Sequence, residues 1–223
     1  MNNRNLHFNK DYHKHYVAFD AKRDLMYTQE VDRILKLKKR GKILDVGCGV
    51  GNFLDKFNSK DWKKYGIDVS DYAIKIAKSK GIYIKTKKKA YSYTPNSFDV
   101  IVFRGSIQHI EDPFVKIKLC IRLLKKNGLL VFLATPNSNS PYYHINKTLP
   151  FLSEHINILI PSDLMLINYL KNNNLKIHNV HYPYANTPYA NFIFDHILYF
   201  LNFFGIKKKY PFWKSSMEIY AIK

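Results

Sequence analysis

Three glycines at alternate positions, Gly47, Gly49 and Gly51, stand in the stretch "KILDVGCGVGNFLDKF" just after an acid, Asp45. A second acid, Asp68, lies near the end of the next apolar run, "KKYGIDV". Glycines let a backbone approach a ligand closely because no Cβ intervenes, and a helix that follows offers free N–H groups at its start. A carboxylate at the tip of the second run can accept both hydroxyls of a ribose. These residue types in this order suit the holding of a nucleoside-like cofactor.

The spacing narrows which one. The dinucleotide fingerprint is G-x-G-x-x-G and the phosphate loop is G-x-x-x-x-G-K-[ST]. This chain has G-x-G-x-G and neither of those. Asp45 would repel a pyrophosphate, whereas it would attract a cation. A sulfonium bearing an amino-acid tail and an adenosine satisfies both acids, with its ammonium near Asp45 and its ribose on Asp68.

Such a turn works only if strands and helices hold it. "KILDV", "KKYGIDV", "IYIKT", "SFDVIVFRG" and "LLVFLATPN" read as five short strands. Their near-continuous apolar runs predict burial on both faces, the mark of a parallel, doubly wound α/β sheet. Helices are expected over "AFDAKRDLMYTQEVDRILKLKKRG" with Gly41 as its stop, over "GNFLDKFNSK", over "SDYAIKIAKSKG" with Ser70 as N-cap and Gly81 as stop, and over "FVKIKLCIRLLKKNG" ending at Gly128. No helix is evident between the third and fourth strands. After Asn137 the pattern changes to an aromatic loop, a helix "IPSDLMLINYLKNNN", a strand "LKIHNVHY", an apolar insertion and a last strand "SMEIYAI". A final hairpin-like pair of strands around an inserted lid explains that tail.

The 223 residues, 46% hydrophobic, suffice for one domain with a sizeable core. The expected layout is a single domain over 1–223: an N-terminal helix or lid over 1–40, a cofactor-binding core over 41–137, and a substrate-side segment over 138–223 with an insertion at about 183–213. No stretch reaches the roughly 20 apolar residues of a membrane span. The opening "MNNRNLHFNKDYHKHY" lacks a signal-peptide core. Two cysteines, Cys48 and Cys120, make no disulfide framework or zinc cluster and fit a cytoplasmic setting. Lys plus Arg number 36 against 17 Asp plus Glu, a formal +19. That charge favours anionic partners, but the lysines are spread over many segments, as compositional drift would also leave them.

"LDVGCGVG", "YGIDVS", "SFDVIVFRGSIQHIEDP" and "LLKKNGLLVFLATPN", in that order, resemble the class I S-adenosylmethionine-dependent methyltransferases, and within them the small-molecule branch of ubiquinone-type and surface-glycan biosynthesis. The resemblance covers Gly41 to Asn137 strongly and extends more weakly through "EHINILIPSDLMLINYLKNNNLKI". It implies a Rossmann-like, mostly parallel sheet with helices on both faces and a C-terminal antiparallel strand. It implies S-adenosyl-L-methionine as cofactor. Asp45, Gly47, Cys48 and Gly49 would contact the methionine end, and Asp68 would hold the ribose with Val69 packing on adenine. Arg104 and Gly105 would lie under the cofactor. Two departures stand out. "IYIKTKKKAYSY" has no acid to accept from the adenine amino group, and Gln108 stands where Glu commonly precedes the histidine.

Methyl transfer to a hydroxyl needs alignment and a base near neutral pKa. His109 in "GSIQHIEDP" follows the fourth strand on the ligand edge and is the leading candidate, with a structural cap as its other reading. His155 in "SEHIN" is the second. His13 and His15 in "YHKHY" lack carboxylates at ligand spacing, so no metal site is expected. Tyr12 and Tyr16 read as part of the N-terminal lid. "NFIFDHILYFLNFFG", followed by the basic "IKKKY", has three readings: roof of the acceptor pocket, contact with a lipid carrier or membrane surface, or a homodimer interface. The expected function is O-methylation of a small acceptor, a sugar, a glycan precursor or a lipid-linked intermediate. The competing reading is a nucleic-acid or RNA methyltransferase, or a quinone-type acceptor at a membrane. "FRGSI" instead of an N-P-P-Y motif, and unclustered lysines, argue against a stable nucleic-acid partner.

Overall fold

The structure is a computed structural model. It describes residues 10–17, 20–85, 91–149, 152, 157–184, 187, 190–205 and 213–223, with the side chains of Lys10, His15 and Tyr16 outside the description. In chain order the elements are α1 (Lys10–Val17), α2 (Ala21–Leu37), β1 (Gly41–Val46), α3 (Asn52–Asp55), β2 (Trp62–Ile67), α4 (Asp71–Ser79), β3 (Tyr83–Ile84) and β4 (Phe98–Arg104). A 3-10 turn (Ile107–His109) then leads into α5 (Pro113–Leu123), β5 (Leu124–Pro136), α6 (Pro141–Asn146), α7 (Asp163–Asn172), β6 (Lys176–His181), α8 (Phe192–Asn202) and β7 (Ser216–Ile222).

The strands form one sheet in the order β3-β2-β1-β4-β5-β7-β6. β1 pairs in parallel with β2 and β4, and β4 with β5. β7 inserts antiparallel between β5 and β6. The order reverses beside β1, so the tips of β1, β2 and β4 border the crevice where open α/β sheets take ligands.

Period-two alternation splits the side chains of each central strand between two cores. Ile101 and Phe103 of β4, with Leu130 and Phe132 of β5, join Ile117 of α5 and Leu166 and Leu170 of α7. Val100 and Val102, with Leu129, Val131 and Leu133, join Val31 and Ile34 of α2 and Phe53 of α3. Burial on both faces is why these strands read as unbroken apolar runs.

Local rules place the helix starts. The Asp20 carboxylate accepts from the Lys22 and Arg23 amides at 3.0 and 3.2 Å and starts α2. Ser70 and Ser162 cap α4 and α7, accepting from Ala73 N and Met165 N. Four expectations are corrected. α2 stops at Leu37 rather than Gly41, and Gly41 opens β1 instead. α3 is a single turn, because a reverse turn with Trp62 N donating to Asn58 O follows it. β2 ends at Ile67, leaving Asp68 and Val69 in the loop beyond it. α5 ends at Leu123, not Gly128: "LKKNG" belongs to β5, where Asn127 takes a left-handed conformation and Lys125 pairs with Asp99 of β4 at 2.8 Å. No helix lies at 91–97; residues 86–90, which include the departure "TKKK", fall outside the description.

Candidate active site

The glycine turn is clamped to the next strand. Gly47 N and Cys48 N both donate to Ile67 O, at 2.7 and 3.0 Å. Asp68 completes the clamp: its carboxylate accepts from Gly49 N at 2.7 Å and from Ser70 N at 2.9 Å. One residue thus joins the tip of β1 to the start of α4. Each carboxylate oxygen has a second lone-pair site, so this bonding leaves Asp68 able to accept again. Val69 beside it is 49% exposed, an apolar side chain open to solvent next to that carboxylate.

Gly47 and Gly49 both have positive φ, +87° and +53°. A Cβ on Gly47 would come within 2.5 Å of Ser106 Cβ. Ser106, in the turn after β4, donates to Val46 O and so ties that turn to β1. Gly47→Ala is therefore expected to destabilise the fold by about 2–4 kcal/mol, from left-handed strain plus overlap. Denaturant unfolding checks this; unchanged stability would contradict the packing. Cys48 turns its thiol inward against Gly66 and Ile82, where burial raises its pKa well above the usual value. Only its backbone faces the turn's concave side.

Asp45 is 2% exposed, and its Oδ1 has no hydrogen-bond partner among the described residues. Burial pushes its pKa up to about 8; Arg104 opposes the rise, and Asp68 and Glu30 add to it. A carboxylate in that setting needs a cation to stay ionised. Arg104 is already committed. Its Nε and Nη2 donate to the two Glu30 oxygens at 2.6 and 3.2 Å, and its guanidinium lies 4.3 Å over the Tyr27 ring. Glu30 and Arg104 are both buried or nearly so, and the pair orders the floor from α2 to β4.

Gly105 (φ +57°) donates to Leu133 O and accepts from Gln108 Nε2 at 3.0 Å. The backbone oxygen of Gln108 accepts from Ile158 N at 2.7 Å. These bonds tie the β4 turn to the segment before α7. His109 is half-buried in that 3-10 turn, its amide donating to Ser106 O. A cleft of about 410 Å³, lined by Tyr143, Lys147, Thr148, Leu152 and Asn157 through Ile160, includes the Ile158 that bonds Gln108, one residue before His109. His155 lies outside the described residues.

α1 packs on α4 and brings His13 over the turn. A Cβ on Gly49 would meet His13 Cε1 at 4.0 Å. Burial lowers the pKa of His13, and Asp68 opposes that shift. The pattern "YHKHY" points to a lid, but its buried member at the turn is His13, with Tyr12 set edge-on against it. Among the described residues no His, Cys, Asp and Glu side chains group as metal ligands. Glu30 and Tyr27 were not visible as site residues in the sequence, since their partner Arg104 is 74 positions from Glu30.

The residues present fit a donor with a ribose and a cationic amino-acid end. The fit rests on the unpartnered Asp45 oxygen, the Cβ-free side of Gly49 with His13 over it, and the two carboxylate oxygens of Asp68. The comparisons agree. A family model described as "Methyltransferase domain" matches residues 19–180. The ubiquinone biosynthesis O-methyltransferase of Nitrosomonas europaea is 31% identical over 121 residues, 51% of this chain and 51% of that protein. The protein of the same name from Saccharophagus degradans is 31% identical over 140 residues, 55% of this chain and 59% of that one. The chain thus matches little more than half the length of these curated relatives. A SAM dependent methyltransferase structure from Archaeoglobus fulgidus shares the fold, with a TM-score of 0.64 at 18% identity, covering 90% of this chain and 94% of that one. With more than half of its residues matched by the family model, the chain belongs to the methyltransferase-domain family, among the class I S-adenosylmethionine-dependent methyltransferases.

Proposed function

We propose that this chain O-methylates a small hydroxylated acceptor that carries an apolar portion. The observation that carries the reading is the pair of acids on adjacent strand tips, one buried and lacking a partner for one oxygen, the other bonded to the glycine turn. Asp68 accepts from the ribose hydroxyls, Val69 covers one adenine face, and Asp45 balances the ammonium. The backbones of Gly47, Cys48 and Gly49 line the methionine end, with Arg104 and Gly105 beneath. S-adenosyl-L-methionine, when bound, supplies a methyl already activated on a sulfonium.

The remaining work belongs to the chain. The acceptor enters through the cleft whose Ile158 bonds Gln108, one residue before His109. His109 would take the hydroxyl proton of the acceptor, leaving its oxygen as the nucleophile. Leu152 and Ile158 through Ile160 offer an apolar side to an aromatic or isoprenoid body, Lys147, Thr148 and Asn157 a polar one, and the relatives named ubiquinone biosynthesis O-methyltransferase support a quinone-type acceptor methylated on oxygen. A lipid-linked sugar is the second reading, favoured by Lys147 in the same cleft and by the +19 charge. Two free, buried cysteines suit action in the reducing cytoplasm.

His109→Ala is expected to leave donor affinity intact and to slow turnover by about 10²–10⁴-fold, the usual worth of a general base. Unchanged turnover would remove His109 from that role. Incubating the pure protein with radiolabelled donor and fractionated extract tests the acceptor. Label in a phenolic-lipid fraction supports the reading, label in a glycan fraction supports the second, and label in RNA overturns both.

A further inference from the structure

α8 is apolar on both sides. Its inner side carries Leu198, which packs with Tyr142, Leu149 and Leu152 around α6. Asp195, also inward, accepts from Tyr184 Oη and Asn191 N and anchors the first turn. Spacings of four and three then line up Ile193, Ile197 and Phe200 on the opposite side, and Phe204, just past the helix end, sets its ring 5.2 Å from that of Phe200. All four are exposed, Ile193 by 74% and Phe204 by 68%. A water-facing stripe of that composition is not needed for the fold, because the inward side already provides the packing.

The surroundings say what covers it. The segment after α8 reads "GIKKKYPFWK", Gly205 to Lys214, four lysines and no acid. Trp213 is half exposed, and Lys214 Nζ lies 4.8 Å from its ring centre. Trp and Phe beside lysines are the side chains that settle at the boundary between acyl chains and anionic headgroups. A second copy of the chain would bring another +19 against a particle already at +19. An anionic surface neutralises that charge instead. Among the described residues no helix is long and apolar enough to cross a membrane, so contact would be in the plane of the interface.

We infer that the outer stripe of α8, with Trp213 and its lysine flank, docks this chain onto an anionic phospholipid bilayer. The docking stands apart from the identity of the acceptor. α6 links the two places: it packs against α8 and supplies Tyr143 to the cleft whose Ile158 bonds Gln108. Acceptors dissolved in the bilayer would reach that cleft without crossing bulk water.

Sedimentation with vesicles of phosphatidylcholine alone, or with phosphatidylglycerol added, tests the proposal. The unmodified chain is expected to sediment with the anionic vesicles and to partition at least roughly tenfold less onto neutral ones. Ile197→Asp with Phe200→Asp is expected to cut anionic binding by a similar factor, while calorimetric donor affinity and thermal midpoint stay at the unmodified values. In the unmodified chain, brominated acyl chains should quench Trp213 and spare the buried Trp62. No vesicle binding, equal binding to both vesicle types, equal binding by the double variant, or an unquenched Trp213 would each overturn the proposal. Self-association lost in the double variant, with no vesicle binding, would overturn it in favour of a dimer interface.

Discussion

Asp68→Ala is expected to weaken uptake of S-adenosylmethionine by roughly two to four orders of magnitude, the loss of two charge-assisted hydrogen bonds to the ribose. The structure adds a second reason. The same carboxylate holds Gly49 N and Ser70 N, so its removal frees the glycine turn from α4 as well. Asp68→Asn separates the two effects. An amide keeps the shape, yet one of its two ends is a donor facing a backbone N–H, so at least one clamp bond is lost. Its binding should fall between the unmodified chain and the alanine variant. Calorimetric titration with the donor and with its demethylated product reads both. Affinity unchanged in the alanine variant would place the ribose elsewhere.

Asp45 has the next largest expected effect, and its sign runs against the usual carboxylate. Burial holds its pKa near 8 in the free chain, above the ordinary value of 3.8. The folded chain therefore keeps a proton that the unfolded chain releases. The stability this group contributes is complete below pH 3.8 and is lost as pH rises through about 8. Asp45→Asn, a neutral isostere, should flatten that slope and leave the free variant more stable than the parent at pH 8, by about 1–3 kcal/mol. Donor affinity should move the other way and fall at least roughly tenfold, because the ammonium loses its buried counter-charge. Uptake of the donor at pH 7 should also release a proton from the parent and not from the variant. Titrations in two buffers of different ionisation enthalpy read that release, and the donor's own ionisation is common to both proteins. Equal proton release by the two would contradict the linkage.

Much of this site was legible because it depends on short-range chemistry. Alternating glycines, an acid before them and an acid at the next strand tip are local patterns, as is the cap at Ser70. β7 was legible too, its bounds Ser216–Ile222 matching "SMEIYAI" residue for residue. The boundary between α5 and β5 was not. "LLKKNG" has good helix formers up to a glycine stop, and only tertiary pairing turns it into strand: Lys125 with Asp99, and Lys223 N with Gly128 O. The Glu30–Arg104 pair was invisible for a related reason, since it joins a helix to a strand far along the chain. In the sequence His13 stands beside His15 with no carboxylates at ligand spacing, which marks neither as a site residue. Its burial over Gly49 follows from the packing of α1 on α4, which no spacing rule encodes.

A crystal structure of the chain grown with S-adenosylhomocysteine tests the central claim most directly. The account predicts the nucleoside across the tips of β1 and β2, with both ribose hydroxyls on the Asp68 carboxylate and the amino group on the Asp45 side of the glycine turn. A ribose held by any other residue, or a ligand on another edge of the sheet, would contradict it.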